Sequence, residues 1–297
     1  MNSVQQLIKE ICEELGITFS LVSKNWIILL QKENKVRSIV GYKFDLNNHA
    51  AGQICDDKFA LYEVLKHENI PVAEHQIVFK NYQKENVFSY AEKYKFDMVV
   101  KNNMGTCGNG MVHTTTKEEL LEKIEELLTK YESVSLSPYY KIKNEYRTII
   151  LDGNIELFYG KKLPKVIGDG QQTIYELLYN FNPYYFKEMQ NSSLNRILKE
   201  NEVYEYNWQF NLSKGAMPFL EVEKNIQQQV ESLARKAAEK VNIRFASVDV
   251  IELESGELLV LEINSGVMLK SFMEIVPTGR EIAKDIYKKA IEEMFDR

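Results

Sequence analysis

Phe245-Ala246-Ser247-Val248-Asp249-Val250-Ile251 and Leu258-Leu259-Val260-Leu261-Glu262-Ile263-Asn264 frame the turn signal Glu254-Ser255-Gly256-Glu257. Strand-forming apolar runs on either side of a Gly-containing turn read as a β-hairpin. With the turn centred on Ser255 and Gly256, Asp249 falls directly opposite Glu262. Period-2 alternation then sets Asn264 on the same face, one diagonal step away. Like charges opposed on a sheet repel by roughly 3 kcal/mol at about 5 Å and an effective dielectric of about 20. Something must offset that. One answer is a hard divalent cation, because oxygen-only ligands suit Mg²⁺ or Mn²⁺, and magnesium takes one or two carboxylates and leaves its other positions to water and phosphates. The other is a Lys or Arg partner for one acid, or an odd-length loop that shifts the register.

Upstream of the hairpin, the spacing predicts a long amphipathic helix over about 224 to 241; downstream, a final helix starts at Gly279. From Val134 the chain is strand-rich. Tyr139-Tyr140-Lys141-Ile142-Lys143-Asn144-Glu145-Tyr146-Arg147 alternates so that Glu145 and Arg147 share a face. An arginine there clamps a transferring phosphoryl group or simply pairs with the glutamate. Gly168-Asp169-Gly170 leads into Thr173-x-x-Glu176, a tight turn feeding a capped helix over about 173 to 180. After an aromatic-rich segment ending at Trp208, Asn211-Leu212-Ser213-Lys214-Gly215 is a polar loop of the kind that contacts ligands.

Further upstream, Asp56 or Asp57 caps a helix beginning near Lys58, which stops at Asn69-Ile70-Pro71. A strand at Gln76 to Phe79, a helix at about 83 to 94 and a strand at Met98 to Lys101 follow, then Asn102-Asn103-Met104-Gly105-Thr106-Cys107-Gly108-Asn109-Gly110. Gly105, Gly108 and Gly110 leave backbone amides able to point at phosphate oxygens, and Lys101 supplies a positive charge. The pattern is not GxxxxGK[ST], so it is not a P-loop. A strand at 111 to 115 and a helix opened by the capping box Thr116-x-x-Glu119 close this unit. Residues 1–55 read as a small α/β unit, with an amphipathic opening helix and strands at Thr18 to Val22, Trp26 to Leu30 and Val36 to Tyr42.

The 297 residues carry a net charge of −6, with charges interspersed, which argues against a nucleic-acid binder. The longest apolar run, Trp26 to Leu30, falls far short of the roughly 20 residues that span a bilayer, and the N-terminus lacks a leader pattern. Cys12, Cys55 and Cys107 form no CxxC pair and read as reduced thiols. The expectation is a cytoplasmic protein with small-molecule partners, monomeric or homo-oligomeric, away from membranes and nucleic acids.

In order, these landmarks resemble the ATP-grasp superfamily: Asp57-Lys58, Val99-Val100-Lys101 with its glycine loop, Asn144-Glu145-Tyr146-Arg147, Asn211 to Gly215, Asp249, and Glu262-Ile263-Asn264-Ser265-Gly266. Gly168 to Leu177 is also similar to a segment of cyanophycin synthetases and glutathione-synthesising bifunctional ligases, the carboxylate-amine ligase branch. The resemblance implies an α+β fold in which two lobes, 56–135 with the glycine loop as lid and 136–297 with the metal-binding hairpin, grip ATP, preceded by the short unit 1–55. It places Lys58 and Lys101 on the phosphates, Glu145 near the ribose, Arg147 near the γ-phosphate, and magnesium on Asp249, Glu262 and Asn264. The usual acidic adenine reader is missing from the hinge Leu136-Ser137-Pro138-Tyr139-Tyr140. Ser137, Tyr139 and Tyr140 are the residues expected to line adenine, read by backbone groups. Lys161 and Asn211 are candidates for substrate or intermediate contacts.

The implied reaction joins a carboxylate to an amine, from amino acids or a peptide, through an acyl-phosphate, releasing ADP and phosphate. A small-molecule kinase and a non-catalytic ATP-binding module are the alternatives.

Overall fold

The structure is a computed structural model that describes residues 1–105, 110–189 and 191–296. Val4, Leu7, Ile8 and Ile11 recur at helical spacing and bury one face of α1 (Ser3–Glu14), which Asn2 caps through a reciprocal box with Gln5. Against it lie β1 (Thr18–Val22), β2 (Ile27–Lys32), β3 (Lys35–Val40) and β4 (Lys43–Phe44), an antiparallel sheet in that order. Alternation along β2 buries Ile28 and Leu30 and leaves Ile27 and Leu29 on the opposite face. Helix α2 (His49–Asp56) has no counterpart in the sequence reading. It leads into α3 (Lys58–His67), where Asp57 is the cap, accepting from the Ala60 amide at 2.9 Å.

The central lobe comprises β5 (Gln76–Phe79), α4 (Lys84–Glu92), β6 (Met98–Asn102), β7 (Val112–Thr114), α5 (Lys117–Lys130) and β8 (Ser133–Pro138). Its strands run in the order β5-β8-β6-β7, over a separate core that includes Val78, Val100, Leu120, Ile124 and Leu136. The capping box expected at α5 is half made. Thr116 Oγ1 accepts from the Glu119 amide at 3.2 Å, but Glu119 Oε2 turns to the Thr115 amide at 2.9 Å, where the Thr115 hydroxyl adds a second donor.

The C-terminal lobe holds β9 (Ile142–Leu151), β10 (Asn154–Lys162), β11 (Lys165–Ile167), α6 (Ile174–Phe181), α7 (Pro183–Phe186), β12 (Val203–Glu205), β13 (Met217–Phe219), α8 (Lys224–Lys240), β14 (Phe245–Leu253), β15 (Leu258–Asn264), α9 (Lys270–Ile275) and α10 (Gly279–Phe295). Its main sheet has the order β13-β10-β9-β14-β15, all antiparallel. Helix α8 packs Val230, Ala234 and Ala237 against Ile150, Val248 and Val250 on one face of it. The β11–β12 ribbon and α6 close a small core around Val166, Ile174, Leu178 and Phe186.

At the hairpin, Asp249 faces Glu262 and Ser247 faces Asn264, as the sequence predicts. The route to that register differs. Nearer the turn the partners are Val250 with Val260 and Glu252 with Leu258, one residue out of step, and a bulge at Leu261 restores the pairing.

The N-terminal unit and C-terminal lobe share one core, where Leu7, Ile11 and Leu30 meet Tyr159, Phe245, Phe272 and Tyr287. Leu61 and Leu65 of α3 likewise pack with Val250 and Val260. The segment beyond α3 adds to the edge of β15: the Ala73 amide donates to the Val260 carbonyl, and the Val260 amide to the Pro71 carbonyl, each at 2.9 Å. Cys12 and Cys55 are buried free thiols; Cys107 lies outside the described residues. Among the described residues, no helix is long and apolar enough to cross a membrane.

Candidate active site

The part of the main sheet's opposite face that the N-terminal unit leaves open forms the floor of a cleft of about 590 Å³, walled by the central lobe. Lys58, Lys101, Gly105, Ser137, Tyr139, Tyr140, Glu145, Arg147, Lys161, Asn211, Asp249, Glu262 and Asn264 all line it, although they are spread over some two thirds of the chain. Gly110 is not among the lining residues, and Gly108 lies outside the described residues.

Strand register explains the convergence. Tyr159, Arg147, Asp249 and Glu262 stand in one row across β10, β9, β14 and β15. Lys161 and Glu145 pair in the next row, two residues towards the hinge. Of the two ways to relieve the Asp249–Glu262 repulsion, a basic partner is present. Arg147 donates Nε to Asp249 Oδ1 at 2.7 Å and Nη2 to Oδ2 at 2.5 Å, and Lys161 Nζ adds a bond to Oδ1 at 3.0 Å. Asp249 is 1% exposed and Lys161 3%, so these charges meet where water screens them little. Although burial opposes ionisation, the Arg147 and Lys161 charges hold the Asp249 carboxyl well below its usual range. Glu145 and Arg147 share a face but do not pair with each other; Glu145 accepts from Lys161 at 2.5 Å. Burial pushes Glu145 up to about 7 despite that ammonium.

Lys58 Nζ donates to the Asn103 carbonyl at 3.2 Å and to the Gly105 carbonyl, tying the entry of the glycine loop to the start of α3. A Cβ on Gly105 would come within 2.9 Å of Asn102 Cβ, so a side chain there must shift the loop. Burial and then the Lys58 charge lower Lys101 to about 8. Burial also holds His75, behind these lysines, neutral, with Nδ1 2.7 Å from Ser135 Oγ.

At the hinge, Ser137 is buried in β8, and the Tyr140 hydroxyl accepts from the Glu74 amide at 2.8 Å. Tyr139 stacks on His113 at 3.8 Å between ring centres and meets Trp208 edge-on at 5.7 Å. Trp208 also lines the site, and its signal in the sequence is the run Asn207-Trp208-Gln209-Phe210 directly before Asn211. Asn211 Oδ1 accepts from the Ser213 amide at 2.9 Å, so it shapes the loop as well as lining the cleft.

The donor set suits a hard cation. Glu262 makes no ion pair among the described residues, and its Oε1 accepts from Asn264 Nδ2 at 3.0 Å, which leaves the Asn264 oxygen as a donor atom. Asp249 uses three of its roughly four lone-pair sites on Arg147 and Lys161, and about one remains. Among the described residues no cluster of three His, Cys, Asp or Glu side chains stands ready for a metal, so such an ion needs ligands from outside the protein as well.

Two lobes face each other across one cleft, with Lys58 and Lys101 beside Gly105 and with Arg147, Asp249 and Glu262 in one row on an antiparallel floor. This is the ATP-grasp fold. Residues 196–290, which carry Asn211, Asp249, Glu262 and Asn264, match the RimK-like ATP-grasp domain. The fold is similar to a bifunctional glutathione synthetase from Pasteurella multocida (TM-score 0.60, 16% identity, 97% of this chain and 44% of that one). It is similar to D-alanine–D-alanine ligase from Bacillus anthracis (TM-score 0.58, 17% identity, 84% of this chain and 69% of that one). The same ligase complexed with ATP gives a TM-score of 0.57 at 17% identity, over 84% of this chain and 68% of that one. The chain thus spans less than half of the glutathione synthetase. No curated protein sequence matches it.

Proposed function

We propose that the protein is an ADP-forming carboxylate-amine ligase that uses ATP to make an amide bond through an acyl-phosphate. One observation carries this reading: Lys58, Lys101, Arg147 and Lys161 share one cleft with Asp249 and Glu262, so phosphate-binding cations adjoin oxygen donors for a cation. The likeness to glutathione synthetase and D-alanine–D-alanine ligase folds supports a ligase, with amino acids or a peptide as substrates.

Lys101 and Lys58 bind the phosphates, and Ser137, Tyr139 and Tyr140 border the adenine. Glu145 lies towards the ribose. The substrate carboxylate attacks the γ-phosphorus in line, ADP leaves, and the amine then displaces phosphate from the acyl carbon. Arg147, preorganised by Asp249, faces the negative charge that spreads in the first step, and Lys161 adds a second positive charge. Glu262, Asn264 and the remaining lone pair of Asp249 would hold magnesium, which would supply neutralisation of phosphate charge. Lid and floor together exclude water from the activated acyl group.

³¹P NMR of the protein with Mg-ATP, pooled amino acids and small carboxylates tests the proposal. ADP and free phosphate that appear only when carboxylate and amine are both present support it. A new phosphoester resonance points to a kinase, and intact ATP to a binding module.

A further inference from the structure

Strand order gives the cleft a direction. Glu145 lies opposite Ile251 at the hinge end, Arg147 opposite Asp249 in the middle, and Ser247 opposite Asn264 beyond. Each two-residue step is about 7 Å. Past Asn264 the chain meets the N-terminal sheet: the Val267 amide donates to the Tyr42 carbonyl at 3.0 Å, and Asp56 accepts from Ser265 Oγ at 3.1 Å. The hinge end and the far end of the cleft are therefore distinct surfaces, on opposite sides of the Arg147–Asp249 row.

The far end is apolar. Trp26, Val40, Tyr42, Met268 and Phe272 line it, with Trp26 61% exposed, Val40 39% and Met268 36%. Its charged side chains, Lys43 and Asp56, are paired with each other. The indole lies over the Gly41 backbone. Gly41 has φ +62°, its amide donates to the Trp26 carbonyl at 3.0 Å, and a Cβ on it would come within 2.9 Å of the ring. A bare glycine under a positioned indole makes a flat wall, and large apolar surface left open to water in a cleft is where an apolar ligand gains most.

We infer that this wall is a subsite for a large apolar side chain, aromatic or branched, on the substrate that the ligase couples. The inference rests on the proposed ligase reaction and adds the substrate class. An acidic or basic side chain finds no unpaired opposite charge among Trp26, Val40, Tyr42, Met268 and Phe272, whereas an apolar one covers Trp26.

The test is ADP release at saturating Mg-ATP with amino acids supplied as an apolar pool (Phe, Tyr, Leu, Ile, Val, Met), an acidic pool (Asp, Glu) and a small pool (Gly, Ala, Ser), comparing wild type, Trp26→Ala and Trp26→Phe. The apolar pool should dominate. Trp26→Ala should raise KM for the active apolar amino acid about tenfold, or about 1.4 kcal/mol, with KM for ATP unchanged; Trp26→Phe should recover most of the loss. Turnover confined to the acidic or small pool, or an apolar KM indifferent to Trp26→Ala, overturns the subsite and leaves the ligase standing. If no pool releases ADP, alone, mixed with the others or with small carboxylates, the ligase reading fails instead. The subsite is then judged by Trp26 fluorescence in Trp208→Phe protein: saturable change with L-phenylalanine or L-leucine and not L-glutamate upholds it, and no change with any overturns it.

Discussion

Arg147 and Asp249 stand directly opposite each other on β9 and β14, and the guanidinium engages both carboxylate oxygens at 2.7 and 2.5 Å. That bidentate contact is what allows Asp249 to sit buried one strand away from Glu262. It also fixes the arginine at the centre of the cleft, with its fork in a single orientation.

Removing the arginine should therefore cost stability as well as activity. Arg147→Ala leaves Asp249 buried with Lys161 as its remaining cationic partner, and the expected loss is about 3–5 kcal/mol. Arg147→Lys keeps the charge but not the fork, so it should recover part of that. Urea unfolding checks both. A change below about 0.5 kcal/mol in Arg147→Ala would mean that the pair is not what holds Asp249.

The lowered pKa of Lys101 sets a pH dependence with two signs. Its folded value, about 8, lies below the ordinary 10.5, so between these values the unfolded chain binds more protons and stability rises with pH. ATP affinity should move the other way, weakening as the free protein loses the ammonium through pH 8, with proton uptake on binding above that pH. Calorimetry in buffers of different ionisation enthalpy measures the uptake; Lys101→Met should abolish it. Uptake retained in that variant would assign it to another group.

Glu262 should control the metal requirement. Chelation should stop ADP release, and Glu262→Gln should raise the Mg²⁺ concentration for half-maximal turnover at least about tenfold. Unlike Arg147→Ala, it breaks no ion pair among the described residues, so thermal stability should change little. An unchanged Mg²⁺ requirement would remove Glu262 from the metal site.

The hairpin was legible because its strands are joined by a short turn, and the opposition of Asp249 and Glu262 follows from local pairing alone. The bulge at Leu261 was not, since a two-against-one pairing leaves no fixed mark in composition. The Arg147–Asp249 contact spans 102 positions, and no periodicity sets the register between strands so far apart. Lys161 could be named but not paired, because its bonds to Glu145 and Asp249 need three strands aligned. Trp26 and Trp208 were hidden in another way. Trp26 reads as part of an apolar strand and Trp208 as one aromatic among many, and only the fold turns both towards the cleft.

The helix signals can be tested apart from the site. At α6 the capping box is complete, with Thr173 Oγ1 accepting from the Glu176 amide at 3.2 Å and Glu176 accepting from the Thr173 amide at 2.7 Å. Thr173→Ala should cost about 1 kcal/mol in denaturant unfolding and leave ATP binding unchanged. A loss of ATP affinity would show that this helix bears on the cleft.

The central claim is that a carboxylate oxygen attacks phosphorus. Supplying the active carboxylate with ¹⁸O in its carboxyl group and reading the ³¹P isotope shift of the released phosphate tests this most directly. An acyl-phosphate route carries one ¹⁸O from carboxylate to phosphate in each turnover. Phosphate that acquires no ¹⁸O while amide product accumulates would contradict it.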